Sequence, residues 1–278
     1  TEVSPDGKLY AYSLSDGGSD WRTIKLRSVE TGEDLSDEIR WAKFTNIAWT
    51  KDSSGIFYSR FDAPEGEDPL KAVNKNQKLF LHTIGKAQTD DTLVYERPDQ
   101  PDWGFGAVVS DDGEFLVING SQGTDVRNRV FYKDLAKADA KVVPLIEDLV
   151  GSYDFVGNDG SVLYFLTDDG AERNRLIAID TANPAKDKWQ TLIAESDALL
   201  QQVSLVNGQF VASYLRDARS EIKLFDAAGQ PKQDIALPGL GTATGFDGAV
   251  EDKETFFAFG SWAVPDTVYR LDLTTGTT

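Results

Sequence analysis

The feature of this sequence that most constrains its fold is a tight turn that recurs along the chain. The turn glycines Gly7, Gly55, Gly113, Gly160 and Gly208 lie 48, 58, 47 and 48 residues apart. Asp-Gly and Asn-Gly supply the positive φ that two-residue hairpins require, so each turn is expected to join two strands. The turns are Ser4-Pro5-Asp6-Gly7, Lys51-Asp52-Ser53-Ser54-Gly55, Ser110-Asp111-Asp112-Gly113, Asn158-Asp159-Gly160 and Val206-Asn207-Gly208, with a weaker sixth at Glu251-Asp252-Lys253.

A short apolar or aromatic run follows every turn. These runs are too short for helices and rich in β-branched and aromatic residues, which predicts buried second strands. They are Leu9-Tyr10-Ala11-Tyr12, Ile56-Phe57-Tyr58, Phe115-Leu116-Val117-Ile118, Val162-Leu163-Tyr164-Phe165, Phe210-Val211-Ala212-Ser213-Tyr214 and Phe256-Phe257-Ala258-Phe259.

A third run in each unit alternates in polarity and closes on an aspartate, which we expect to begin the next turn. The similarity between units is visible in Arg127-Asn128-Arg129 and Arg173-Asn174-Arg175, and a fourth run such as Thr92-Leu93-Val94-Tyr95 completes the unit. Four antiparallel strands in each unit of roughly 45 to 50 residues predict an all-β chain, a β-propeller of four-stranded blades. An immunoglobulin-like sandwich would not explain the recurrence of one turn at one period.

Six blade modules are predicted within a single domain spanning residues 1–278. Their approximate bounds are 3–43, 44–98, 104–148, 151–196, 198–239 and 241–278. The first module has only a stub before its turn, and the last stops after its third strand. Because an open sheet edge favours aggregation, we expect the ends to meet or a further segment to cover them, as in a fragment of a longer chain.

Net charge, cysteine content and hydrophobicity exclude several classes of binding partner and of functional site. The net charge of −18 repels phosphate backbones and anionic lipid surfaces, so neither nucleic acid nor a membrane is an expected partner. The absence of cysteine excludes disulfides, zinc ribbons and thiol nucleophiles. No apolar run reaches the roughly 18 residues of a membrane span, and the N-terminus does not have the pattern of a signal peptide. A soluble protein is expected, and the compartment, cytoplasmic or periplasmic, stays open.

An ordered series of motifs resembles one protein family. The most specific is Gly18-Ser19-Asp20-Trp21, and the others follow it in order: Ala48-Trp49-Thr50, Asn76-Gln77-Lys78-Leu79-Phe80, Val126-Arg127-Asn128-Arg129, Tyr153-Asp154-Phe155-Val156, Tyr214-Leu215-Arg216-Asp217 and Phe256-Phe257-Ala258-Phe259. Together they resemble the propeller of prolyl oligopeptidases. The resemblance implies a two-domain serine peptidase that cuts short peptides after proline, with a propeller that caps an α/β-hydrolase domain and filters substrates by size. It also implies a ring of seven blades, one more than the modules found.

The catalytic half of that family is not expected in this chain. An α/β-hydrolase needs a nucleophile in a G-x-S-x-G elbow, and that pattern does not occur. His82, the only histidine, lies in an alternating run and is interpreted as a structural strand residue. We therefore assign no catalytic residue, metal site or cofactor and expect the chain to be inactive alone. The carboxylate pairs Asp90-Asp91, Asp111-Asp112 and Asp168-Asp169 are interpreted as turn residues, since none has calcium-loop spacing.

Two sets of residues remain candidates for binding. Tyr153, Asp154, Gln201 and Gln202 bring polar side chains to predicted first strands, which would face a central tunnel and contact peptide substrates. The alternative function is a stand-alone propeller that binds a protein or carbohydrate through tryptophans. Trp21 and Trp49 are expected to pack between blades, whereas Trp103 and Trp262 flank loops and are candidates for exposure.

Overall fold

The computed structural model describes residues 1–64 and 73–278, and almost all regular structure in them is β-strand. Two 3-10 helices of three residues each, Gln88–Asp90 and Lys186–Lys188, are the exceptions among the described residues. The strands are β1 Glu2–Val3, β2 Leu9–Ser15, β3 Arg22–Ser28, β4 Asp34–Ala42, β5 Ala48–Trp49, β6 Gly55–Arg60, β7 Lys78–Thr83, β8 Thr92–Tyr95, β9 Trp103–Val109, β10 Phe115–Gln122, β11 Arg129–Asp134, β12 Val143–Ile146, β13 Tyr153–Asp159, β14 Val162–Thr167, β15 Arg175–Asp180, β16 Gln190–Ile193, β17 Leu199–Val206, β18 Gln209–Arg216, β19 Arg219–Phe225, β20 Pro231–Ile235, β21 Thr242–Gly245, β22 Glu254–Ser261 and β23 Val264–Asp272.

The chain divides into two compact units, residues 1–149 and 150–278. In the first unit, β1 to β8 share one sheet, in which β4 joins β6 through the single pair Ala42 and Arg60. The second sheet of this unit holds β9 to β12 in antiparallel order. No helix in the described part of the chain has the length and hydrophobicity needed to cross a bilayer.

The second unit contains three antiparallel sheets, in which consecutive strands are neighbours. Two are four-stranded, β13 to β16 and β17 to β20, and the last holds β21 to β23. The predicted all-β fold with four-stranded antiparallel units is confirmed. The division into six blade modules stays a prediction, and residues 65–72 of the module 44–98 lie outside the described residues.

Three of the recurring turns share a hydroxyl and carboxylate arrangement. In one of them, the Ser110 hydroxyl donates a 2.6 Å hydrogen bond to Asp112 and accepts one of 2.9 Å from the amide of Phe115. The same bonds occur in the other two turns, around Ser4 and Thr50. These connections are longer than two residues, so the prediction of two-residue hairpins is wrong for them. It is right for Asn207-Gly208, where both residues have positive φ.

Gly55 has a different role from the other turn glycines. Its φ is not positive, and Ser53 takes the left-handed conformation in that turn instead. A Cβ atom at position 55 would lie 2.6 Å from the carbonyl oxygen of His82 on the neighbouring strand. The glycine therefore permits the close approach of β6 to β7, since any side chain would force the two backbones apart.

The prediction of buried second strands holds for four of the six runs and is wrong for two. β6, β10, β14 and β18 are buried along most of their length. In β2, by contrast, only Ala11 is buried, and in β22 only alternate residues are, with Phe256 53% exposed beside the buried Phe257. The apolar core of the same unit covers one face of each of these two strands, and the side chains on the other face stay in solvent.

The aspartates that close the third strands begin the following turns, as predicted. Asp134, Asp180, Asp226 and Asp272 each accept a hydrogen bond from the amide two residues further on, over distances of 2.8 to 3.1 Å. Such bonds from backbone to side chain satisfy amide donors that have no partner in the strand ladder. The recurring aspartate is therefore explained by local turn structure.

Candidate functional site

The site candidates lie on two strands that form sheet edges within the second unit. Among the described strands, β13 pairs only with β14, and β17 pairs only with β18. Apolar side chains fill the space between these two sheets, with Leu166, Leu200 and Phe210 among the buried members of the cluster. The core therefore fixes both edge strands side by side.

A β-bulge occurs in each of these edge strands. Val156 is the extra residue in β13, and Gln201 is the extra residue in β17. Successive residues of a regular strand point to opposite faces, but a bulge redirects one of them. This explains how Gln201 and Gln202 line the same cleft although they are adjacent in sequence.

The cleft has a volume of about 370 Å³. Its polar lining includes three of the four predicted residues, Asp154, Gln201 and Gln202, together with Asp247 from the connection between β21 and β22. The lining has two carboxylates and neither lysine nor arginine. The structure thus brings most of the predicted set together in an acidic cleft.

Hydrogen bonds fix Gln202 in this cleft. Its amide nitrogen donates to the carbonyl oxygen of Gly245 at 3.1 Å and approaches a carboxylate oxygen of Asp247 at 3.4 Å. Loss of hydration, followed by the negative charge of Asp168, raises the pKa of Asp154 above its usual range. Gln201 is exposed at the mouth of the cleft. Gln201, Asp154 and Asp247 are exposed members of the lining, so all three can be reached by a ligand.

Tyr153 is not part of the cleft. It is buried on the opposite side of β13, where its hydroxyl donates a 2.9 Å hydrogen bond to Asp169. Asp169 also pairs with Lys186 at 2.7 Å, and the Tyr153 ring meets Trp189 edge to face. Burial, with the Asp169 carboxylate, raises the pKa of Tyr153. These contacts show Tyr153 in a packed position that anchors β13.

A buried polar cluster in the first unit is the arrangement that sequence reasoning missed. The His82 ring, 1% exposed, lies 2.7 Å from a carboxylate oxygen of Asp91 and 3.0 Å from one of Asp37. Asp91 does lie in the turn between β7 and β8, as interpreted, but its carboxylate bonds Tyr58 and His82 and not its own backbone. The sole histidine near the Asp90-Asp91 pair was the available signal, but nothing local in the sequence indicated Asp37.

The tryptophans differ sharply in exposure. Trp49 is buried, and Trp21 is half-buried with its ring edge-on to Trp41 and Phe61. Trp103 was a candidate for exposure, but it is buried with the guanidinium groups of Arg97 and Arg129 over its ring. Trp262 is fully exposed at the tip of the hairpin between β22 and β23.

Comparison with known proteins identifies the family. The family model described as "Prolyl oligopeptidase, N-terminal beta-propeller domain" matches residues 1–278. The chain belongs to the prolyl oligopeptidase family. The predicted resemblance is confirmed, and the match places the chain in the family's N-terminal β-propeller domain.

Individual relatives agree with this assignment. Prolyl endopeptidase of Elizabethkingia meningoseptica is 33% identical over 97% of this chain, and the dual function macrocyclase-peptidase of Galerina marginata is 32% identical over 98%. A solved structure from a study of inter-domain dynamics in two prolyl endopeptidases is 38% identical and superposes with a TM-score of 0.91. This chain spans only 39% of the length of that solved structure and 38% of the length of the Elizabethkingia enzyme.

Proposed function

We propose that this chain is the non-catalytic propeller of a proline-specific serine endopeptidase, and that it caps the active site and restricts access to short peptides. The observation that carries the proposal is the match of the whole chain to the family's propeller domain. The curated relatives that are named prolyl endopeptidases extend well beyond the matched region. The partners of the chain are then an α/β-hydrolase domain and short proline-containing peptides.

Absence of catalysis by the chain alone follows from its composition. A serine peptidase triad needs an imidazole that transfers the proton between nucleophile and leaving group. The only imidazole, His82, is buried between two carboxylates and therefore has no access to a substrate. The purified chain should not release chromophore from a proline-containing chromogenic peptide. Turnover that copurifies with the chain through several columns would refute this part of the proposal.

The cleft between β13 and β17 supports a role in substrate access. Asp154 and Asp247 give the cleft a negative field, which favours positively charged peptides and disfavours acidic ones. Gln201 at its mouth is exposed, so a charge placed there would act directly on that field. A role of this cleft can therefore be tested by comparing the cleavage of positively and negatively charged peptides.

The test uses the full-length gene product and peptides of equal length but different charge. Gln201→Lys should lower kcat/KM for cationic peptides relative to acidic ones by about two- to fivefold, the size expected of one surface charge. Gln190→Lys is the matched control, because Gln190 is an exposed glutamine on β16, the far edge strand of the β13 sheet. Equal kinetics of both variants across the series would exclude a gating role for the cleft.

The exposure of Trp262 supports the alternative function, a stand-alone propeller that binds a carbohydrate or protein. A fully exposed indole offers an apolar face on which a sugar ring or a partner's side chain can stack. If this function holds, soluble glycans or a partner should quench tryptophan fluorescence of the chain, and Trp262→Ala should abolish the change. Retained quenching in that variant would exclude Trp262 as the binding residue.

A further inference from the structure

A buried histidine connects two parts of the first unit that few other bonds join. Asp37 lies on β4, whereas His82 lies on β7 and Asp91 just before β8. Nε2 of His82 lies 3.0 Å from Oδ1 of Asp37, and Nδ1 lies 2.7 Å from Oδ1 of Asp91. All three side chains are buried. The ring therefore bridges β4 to the strands that follow it.

Few other hydrogen bonds cross this junction, although β4 shares a buried apolar core with β5, β6 and β7. One of them, of 3.2 Å, joins the amide of Phe61 to the carbonyl oxygen of Trp41. The strands β4 and β6 pair at one position only, Ala42 with Arg60. Near the histidine, the amide of Gly85 donates a 2.5 Å hydrogen bond to Asp37, and the side chain of Gln88 exchanges two hydrogen bonds with the backbone of Arg40. The junction is thus held mainly by side chains.

The other groups around the ring add no competing cation. Tyr58 on β6 donates a 2.5 Å hydrogen bond to the second oxygen of Asp91 and receives a weaker one from Gln88. Arg60 is the cation among the described residues whose charge acts on Tyr58. Oδ2 of Asp37 has no hydrogen-bond partner among the described residues. His82 is therefore the group that neutralises charge between the two carboxylates.

Two carboxylates around one imidazole favour a doubly protonated ring. An ionised carboxylate oxygen only accepts hydrogen bonds, so both ring nitrogens must donate, and only the imidazolium form has two donors. Burial lowers the pKa of His82, but hydrogen bonds to Asp91 and Asp37 outweigh it and raise the pKa above its usual value. The ring thus keeps its proton at pH values where an exposed histidine has lost it.

We propose that His82 is a proton-dependent clasp that holds β4 to the strands β6 to β8, and that loss of its proton loosens this junction. A neutral ring would turn the lone pair of one nitrogen toward a carboxylate oxygen. It would also leave two buried carboxylates without the positive charge between them. Because the folded-state pKa is raised, the stabilisation is complete below the unfolded value of about 6.5. It is lost as the pH rises through the folded-state value.

The first measurement needs no variant, because His82 is the only histidine in the chain. Its ring nitrogens can be observed by long-range 1H–15N NMR between pH 5 and pH 10. The midpoint of the titration should lie above 6.5, with both nitrogens protonated below it. A midpoint at or below 6.5 would overturn the proposal.

The second measurement follows the junction by hydrogen exchange, with rates corrected for the intrinsic effect of pH. Protection of the amides of Gly85 and Arg40 should fall between the unfolded value of about 6.5 and the folded-state midpoint, by up to about tenfold for each pH unit, and should level off above that midpoint. The amide of Gly113, which donates to Ser110 in a distant turn of the same unit, is the internal reference. Equal pH dependence of all three amides would contradict the clasp.

Asp37→Asn distinguishes a clasp from a merely buried histidine. An asparagine amide can donate to Nε2 of a neutral ring, while Nδ1–H continues to donate to Asp91. The variant should therefore titrate at lower pH and keep its protection of the Arg40 amide above pH 7, because that amide donates to Gln88 and not to residue 37. Asp99→Asn, which removes an exposed carboxylate paired with Arg97, should behave as the wild type. A variant Asp37→Asn with unchanged pH dependence would count against the proposal.

Discussion

The side-chain amide of Gln77 joins the backbone of Phe105 to that of Lys43. Its Oε1 accepts a 2.5 Å hydrogen bond from the amide of Phe105, and its Nε2 donates a 2.7 Å bond to the carbonyl oxygen of Lys43. Gln77 is 1% exposed, so water does not compete for these groups. One side chain thus satisfies two buried backbone groups from segments that are far apart in sequence.

Gln77→Ala should lower the free energy of unfolding by about 2 to 3 kcal/mol, because it leaves a buried donor and a buried acceptor unpaired. Chemical denaturation monitored by tryptophan fluorescence would measure the change. Gln190→Ala, at an exposed position on β16, should stay within about 0.5 kcal/mol of the wild type. Equal effects of both substitutions would mean that the bonds of Gln77 add nothing to stability.

The turn at Ser4 predicts an acid-sensitive carboxylate. Hydrogen bonds from the Ser4 hydroxyl, and then from the amide of Lys8, lower the pKa of Asp6 to about 2. Because the folded-state pKa is depressed, the stabilisation is present above the unfolded value of 3.8 and is lost as the pH falls toward 2.

Ser4→Ala should therefore raise the pKa of Asp6 toward 3.8. Carbon-detected NMR titration of the side-chain carboxyl would measure it. Asp197, whose pKa Arg216 lowers to about 2, lies in the other unit and should titrate unchanged in the same spectra. If Asp6 still titrates near 2 in the variant, the hydroxyl is not the cause of its low pKa.

The Asn207-Gly208 hairpin gives a prediction about backbone conformation. Gly208 has a φ of 62°, a left-handed value that alanine adopts only at a cost. Gly208→Ala should reduce the free energy of unfolding by about 1 kcal/mol in thermal or chemical denaturation. Gly239→Ala is the control, since Gly239 has an ordinary φ and a Cβ atom there would contact nothing within 4 Å. A neutral Gly208→Ala would show that the turn can relax.

The repeat predicted the sheets because its signals are local. Asn207-Gly208 encodes its hairpin directly, and Asp134 closes a strand through a bond to the amide of Ala136, two residues away. The length of the turn at Ser110 was not predictable in the same way. Its geometry depends on the Ser110 hydroxyl, which bonds both Asp112 and the amide of Phe115. The spacing of glycines in the sequence does not indicate such bonds.

The candidate site was predictable only in part. Polar residues in first strands singled out Asp154, Gln201 and Gln202, which do share a cleft. The shared orientation of the two glutamines depends on a bulge that strand alternation does not predict. Tyr153 was included for its position alone, yet its hydroxyl finds Asp169, which is close only in the folded chain. Contacts between distant segments are what a single sequence leaves undetermined.

Adjacent phenylalanines on β22 allow a direct test of which face is covered. Phe257 is buried and stacks on Phe246 and Tyr269, with ring centroids 4.7 and 5.4 Å apart, respectively. Phe257→Ala should cost about 3 to 5 kcal/mol of stability through lost contacts and a cavity. Phe256→Ala removes an exposed ring one residue away and should change stability by no more than about 0.5 kcal/mol.

Comparing the two variants removes the effects of residue type and strand propensity, because both replace phenylalanine by alanine on the same strand. Chemical denaturation of the isolated chain should therefore report the difference in burial almost alone. A large loss of stability in Phe256→Ala would mean that another chain or segment covers the outward face of β22 in solution. Sedimentation of the wild-type chain would then distinguish self-association from coverage by a segment of the same chain, since only self-association depends on concentration.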